Sequence, residues 1–105
     1  MKQENKQKIF NITMHPERRL FCPLGEDWYT ASLHIEFTPD RYYPDYCDVD
    51  KWLNKNINEQ SLTIEDAVRK VNDYLQEEYH PKDVTVTAVV NDATHMPVEV
   101  TVWDK

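Results

Sequence analysis

The chain has 105 residues, 40% hydrophobic and 30% charged, with a formal net charge of −7. That length holds one domain with a modest core. The acidic balance argues against a nucleic-acid-binding surface, and no apolar run approaches the ~20 residues that span a bilayer.

Met1 to Gln7 is polar, lacks the apolar stretch of a secretory signal and is read as a disordered tail of a cytoplasmic protein. Residues 8–105 form the single domain. A first strand is expected from Lys8 to Met14, with Phe10, Ile12 and Met14 on one side, then a loop from His15 to Asp27. Trp28 to Thr38 carries the strongest strand pattern: Tyr29, Ala31, Leu33, Ile35 and Phe37 alternate with polar residues. Pro39, Asp40, Pro44 and Asp45 mark a loop up to Tyr46. A short helix is expected near Asp48, which caps it, with Val49, Trp52, Leu53 and Ile57 as its apolar stripe. The second helix starts at Thr63, where Asp66 three residues on approximates a capping box and Leu62 with Ala67 staples the entry. Its apolar positions run to Tyr79, and His80-Pro81 ends it. Two further strands are expected, Val84 to Val90 and Val98 to Trp103. The order ββααββ predicts an α+β fold: a four-stranded antiparallel sheet with two helices on one face. The open edges of such a sheet favour assembly into a homo-oligomer.

The chemistry-bearing run is Arg19-Leu20-Phe21-Cys22-Pro23-Leu24-Gly25-Glu26-Asp27. A soft nucleophile and a carboxyl proton donor sit close together on a connection before a strand. Arg18 and Arg19 would favour the thiolate if they pointed at it. By itself Cys22 is equally an inert loop or core thiol, and Asp27 an ordinary residue before a strand. Gly25, the one glycine, excludes glycine-rich phosphate loops. The two cysteines lack zinc spacing and read as thiols rather than a disulfide. His15, His34, His80 and His95 also lack metal spacing, so no metal is expected.

Phe21-Cys22-Pro23, Gly25, Asp27 and the strand ending Thr38-Pro39-Asp40, followed later by Ile64-Glu65-Asp66 and Asn72-Asp73-Tyr74-Leu75, resemble the tunnelling-fold (T-fold) superfamily. Within it, these residues look most like the NADPH-dependent reductases of 7-cyano-7-deazaguanine in queuosine biosynthesis. The resemblance implies that Cys22 adds to the nitrile as a thioimide, that Asp27 is the proton donor, and that Glu65 binds the purine edge at a subunit interface. Glu65 also suits a first helical turn on dipole grounds alone. The chain departs from the reductases in three places. The Cys22 to Asp27 interval is two residues shorter, Ile64 replaces a histidine, and Cys47 to Leu53 replaces the Ser-Lys-Ser-Leu-Lys stretch tied to NADPH, with Lys51 as its remnant. Short members without that stretch resemble archaeal amidinotransferases, which add ammonia to the same nitrile on tRNA. The remaining alternatives are a non-catalytic purine- or pterin-binding or structural oligomer and a pterin-type T-fold enzyme, against which the missing metal histidines count. In the enzymatic readings the substrate is a small purine, with no nucleic acid or membrane partner expected.

Overall fold

The computed structural model describes residues 2–104; residues 1 and 105, which the expected tail and domain ranges include, lie outside it. The fold is α+β with antiparallel sheets. Its elements are β1 (Lys2–Glu4), β2 (Ile12–Met14), β3 (Glu17–Cys22), β4 (Asp27–Thr38), β5 (Tyr42–Pro44), α1 (Tyr46–Asn56), α2 (Ile64–Tyr79), β6 (Asp83–Val90) and β7 (Val98–Asp104). The expected four-stranded ββααββ layout is therefore replaced by a two-stranded sheet, β1-β5, and a five-stranded sheet, β2-β4-β6-β7 with β3 also on β4.

The alternation in β4 survives intact. Tyr29, Ala31, Leu33, Ile35 and Phe37 are all buried. They form one core with Val84, Val86, Ala88 and Val90 of β6 and the buried stripes of both helices. Two helical caps explain the helix starts. Thr63 accepts a hydrogen bond from the Asp66 N–H, as the sequence suggests. The first helix begins earlier than expected because Asp45, not Asp48, is its cap, accepting from the N–H groups of Cys47 and Asp48. His80 closes α2 in the left-handed conformation (φ 48°) with its N–H on the Gln76 carbonyl.

Three stretches differ from the sequence-based reading. Residues 15–27 are not all loop, because β3 forms there and pairs with β4 from Glu17↔Ser32 to Cys22↔Asp27. Pro16 has no N–H and separates β2 from β3, yet its carbonyl accepts from Leu33 N at 2.8 Å, so both pieces follow one edge of β4. The first strand shrinks to three residues. The Asn5 side chain bonds both the N–H and the carbonyl of Ile9, which occupies that backbone, and Phe10 is left 81% exposed. Where a frayed tail was expected, Lys2–Glu4 pair with β5 inside the presumed loop, and Lys2 lies 5.1 Å from the Tyr42 ring centroid. Among the described residues no helix is long and apolar enough to cross a membrane.

Stability should follow this burial. Leu20→Ala, at a position with 0% exposure, is expected to cost about 2–5 kcal/mol in chemical denaturation. Phe10→Ser should stay within about 0.5 kcal/mol of the parent. Burial pushes the Tyr29 and Tyr79 phenols well above the ordinary tyrosine range. A group whose folded pKa is raised gives stability that is complete below its unfolded value and is lost as pH rises past it. Stability should thus decline above pH about 10, and a denaturation series in Tyr79→Phe should show a shallower alkaline decline.

Candidate functional site

The topology brings three separate segments to one end of the main sheet. β4 and β6 are antiparallel neighbours, with Ser32 opposite Val89, so the β3–β4 turn and the β6–β7 loop lie at the same end. With 16 residues at ~1.5 Å each, α2 is ~24 Å long. The 8-residue β6 spans about 26 Å. A helix that ends just before β6 therefore begins near where β6 finishes.

The start of α2 is fixed more tightly by the segment before it. Along the side of β3 that faces away from β4, Asn58 Oδ1 accepts from Arg19 N. Glu59 N donates to Arg19 O, Phe21 N to Gln60 O and Leu62 N to Phe21 O. The contact forms a parallel bridge between Phe21 and Ser61. From the core, the Tyr29 hydroxyl donates to Leu62 O at 2.6 Å. Thr63 follows as the helix cap, so Glu65 in the first turn is carried to the end of β3 where Cys22 stands.

These constraints surround a cleft of about 470 Å³ lined by Cys22, Asp27, Tyr29, Glu65, His95 and Glu99 among others. The three residues singled out from the sequence, Cys22, Asp27 and Glu65, therefore share one cavity. Cys22 and Asp27 are a cross-strand pair closing the hairpin. Their turn is held by Glu26 N on Cys22 O at 2.8 Å, with Glu26 in the left-handed region (φ 52°). The Gly25 N–H donates to Cys22 Sγ at 3.4 Å. A methyl on Gly25 would sit 3.8 Å from that sulfur and 3.9 Å from Thr94 Oγ1, so Gly25 has both the thiol and the β6–β7 loop beside it. Cys22 is partly exposed. Asp27 is exposed rather than buried and accepts from the Trp28 N–H at 2.8 Å.

The expected cationic help to the thiol is not built. Arg18 donates to Asp50 at 2.9 Å. Arg19 stacks on Trp28, 4.9 Å from the ring centroid, on the sheet face opposite the core. The cleft is acidic instead. Burial first, then the charges of Cys22, Glu65 and Asp66, keeps the Tyr29 phenol protonated. The loop wall is anchored by Asp92, whose carboxylate accepts the Thr30 N–H at 2.8 Å; that bond holds its carboxyl below the usual range. Among the described residues no group of three or more His, Cys, Asp or Glu is placed to hold a metal ion.

Sequence reasoning missed Tyr29, His95 and Glu99 as cleft residues. The alternation that marks Tyr29 as core gives no hint of its hydroxyl's task. His95 and Glu99 become visible only once the two loops are known to share an end.

No protein-family model matches the chain, and no curated protein matches it. A solved structure does: a crystal structure of the archaeosine synthase QueF-Like in the apo form superposes with a TM-score of 0.82 over 90% of this chain and 93% of that one. At 14% sequence identity that similarity is one of fold.

Proposed function

We propose that this protein is a T-fold enzyme of 7-deazapurine chemistry in which Cys22 attacks the nitrile of 7-cyano-7-deazaguanine. One observation carries the reading: Cys22, Asp27 and Glu65, singled out at separate places in the sequence, line one cleft. The fold similarity to a protein described as an archaeosine synthase supports it. The cleft volume lies in the range of small-ligand sites.

Each residue has a task set by the chemistry. The thiolate of Cys22 adds to the electrophilic nitrile carbon, forming a C–S bond while one C–N π pair moves to nitrogen. Asp27, beside the sulfur at the hairpin end, gives that nitrogen its proton. Glu65 accepts paired hydrogen bonds from the N–H and amino edge of the purine. Because a charged acceptor strengthens such bonds, it orients the ring with the nitrile towards the sulfur.

Of the two second half-reactions, attack by ammonia suits the cleft better than hydride transfer. Among the described residues its lining contains no lysine or arginine, and Lys51, the remnant of the NADPH stretch, is not part of it. The residues of this protomer therefore do not fit the phosphates of NADPH. Ammonia adding to the thioimide carbon would expel the Cys22 thiolate and leave an amidine. The net charge of −7 favours the free base over a tRNA-borne substrate.

Assembly belongs to the same reading. The inter-helix segment already covers the backbone of β3, whereas β7 ends its sheet. Leu24 and Met96 stand 84% and 74% exposed on the cleft lining. A homo-oligomer that pairs its β7 edges would cover that mouth and exclude water from the site.

Intact-mass measurement after mixing with 7-cyano-7-deazaguanine tests the proposal. A covalent adduct should form and vanish in Cys22→Ala. In Glu65→Gln its formation should need roughly tenfold or more substrate, the loss of a hydrogen bond to a charged group. Ammonia should discharge the adduct as amidine. Absence of any adduct would leave a binding or structural oligomer.

A further inference from the structure

The cleft holds a titratable group that neither the sequence reading nor the thioimide scheme uses. Thiolate formation requires a base, and the two nearby arginines are committed elsewhere: Arg18 to Asp50 and Arg19 to the Trp28 ring. Lining the cleft with Cys22 are Asp27 and Tyr29 from β4, Glu65 from α2, Glu99 from β7 and His95 from the β6–β7 loop. Asp66 acts on the same phenol from α2. Three of these groups are carboxyls, weak bases towards a thiol, and Tyr29 is a neutral phenol already donating to Leu62 O. His95 is the one imidazole of the set, the side chain most often used as a general base.

Its ring is also prepared for the task. Nδ1 of His95 lies 2.7 Å from the Met96 carbonyl oxygen. A carbonyl can only accept, so Nδ1 carries the hydrogen and the lone pair is on Nε2. Neighbouring Thr94 stands beside the same turn as the sulfur, since its Oγ1 and Cys22 Sγ would both lie within 4 Å of a methyl placed on Gly25. The Asp92 bond to Thr30 N ties down the loop's start.

We propose that His95 is a further catalytic residue of this site, the base that takes the thiol proton of Cys22 through Nε2. The proposal rests on the thioimide reading for its reaction, but the proton transfer itself needs no nitrile. The Cys22 proton moves to Nε2, leaving a thiolate and an imidazolium. The sulfur lone pair forms the C–S bond, and the imidazolium proton passes through the Asp27 carboxylate to the nitrile nitrogen. The sum is thiol plus nitrile giving thioimide, with no oxidant or reductant.

The test is the pH dependence of iodoacetamide alkylation, read separately at Cys22 and Cys47 by peptide mass mapping. Cys47 is exposed on α1 and reports on the chain as a whole. In the parent protein the Cys22 rate should rise in a step at lower pH than the Cys47 rate does. His95→Gln keeps a polar group but does not titrate; it should remove that step and slow Cys22 about tenfold or more at pH 7, leaving Cys47 unchanged. His95→Asn, which shortens the same exposed loop side chain, should behave alike. Superimposable Cys22 profiles in parent and variants would overturn the proposal, and so would an equal change at both cysteines. A nitrile adduct with unaltered profiles sinks the role of His95 alone. A His95-dependent profile without any nitrile adduct sinks the substrate assignment alone.

Discussion

The site depends on the backbone zipper between β3 and the segment leading into α2. Without it, the two would be joined only through the core. Phe21 is bonded on both its N–H and its carbonyl to Gln60 and Leu62, and the Tyr29 hydroxyl reaches the Leu62 carbonyl from below. Paired backbone groups in this position serve two ends. They satisfy donors and acceptors that an edge strand leaves open, and they fix where a helix N-terminus can lie. Cys22 is the next residue along β3 and Thr63 the next along the linker, so the thiol and the first turn of α2 become neighbours by construction.

The surrounding fold makes that constraint rigid. Tyr29, Ala31, Leu33, Ile35 and Phe37 seat β4 in the core, and Val68, Val71 and Leu75 seat α2 over the sheet. Asn72, fully buried on the same helix, donates to the Val84 carbonyl and ties α2 to β6. Trp52 and Tyr74 stack with centroids 4.0 Å apart, coupling α1 to α2. The proposed chemistry is then carried on turns, where a tight hairpin presents Cys22 and Asp27 while a longer loop carries His95. Loops positioned by a packed scaffold are the usual place for such groups.

The sequence made some of this visible and hid the rest for physical reasons. Period-two alternation revealed β4 because one face is dry and the other wet, and Thr63 with Asp66 revealed the start of α2 because capping is local. β3 stayed hidden because Arg18 occupies a core-side position, its charge met by Asp50, so Arg18-Arg19 reads as loop. Phe10 misled in the opposite direction: an apolar residue in phase with Ile12 remains in solvent. The pairing of β1 with β5 joins segments some forty residues apart and leaves no local trace. Cys22 and Asp27 could be found as neighbours from their spacing, and Glu65 from resemblance. Their convergence depends on strand order and helix length, which no single motif encodes.

The most direct measurement of the central claim is a crystal structure of the protein after reaction with 7-cyano-7-deazaguanine. Continuous density is expected from Cys22 Sγ to the former nitrile carbon, with the amino edge of the ring on the Glu65 carboxylate. A ring held elsewhere, or an unmodified sulfur with the base bound out of reach of Glu65, would contradict it.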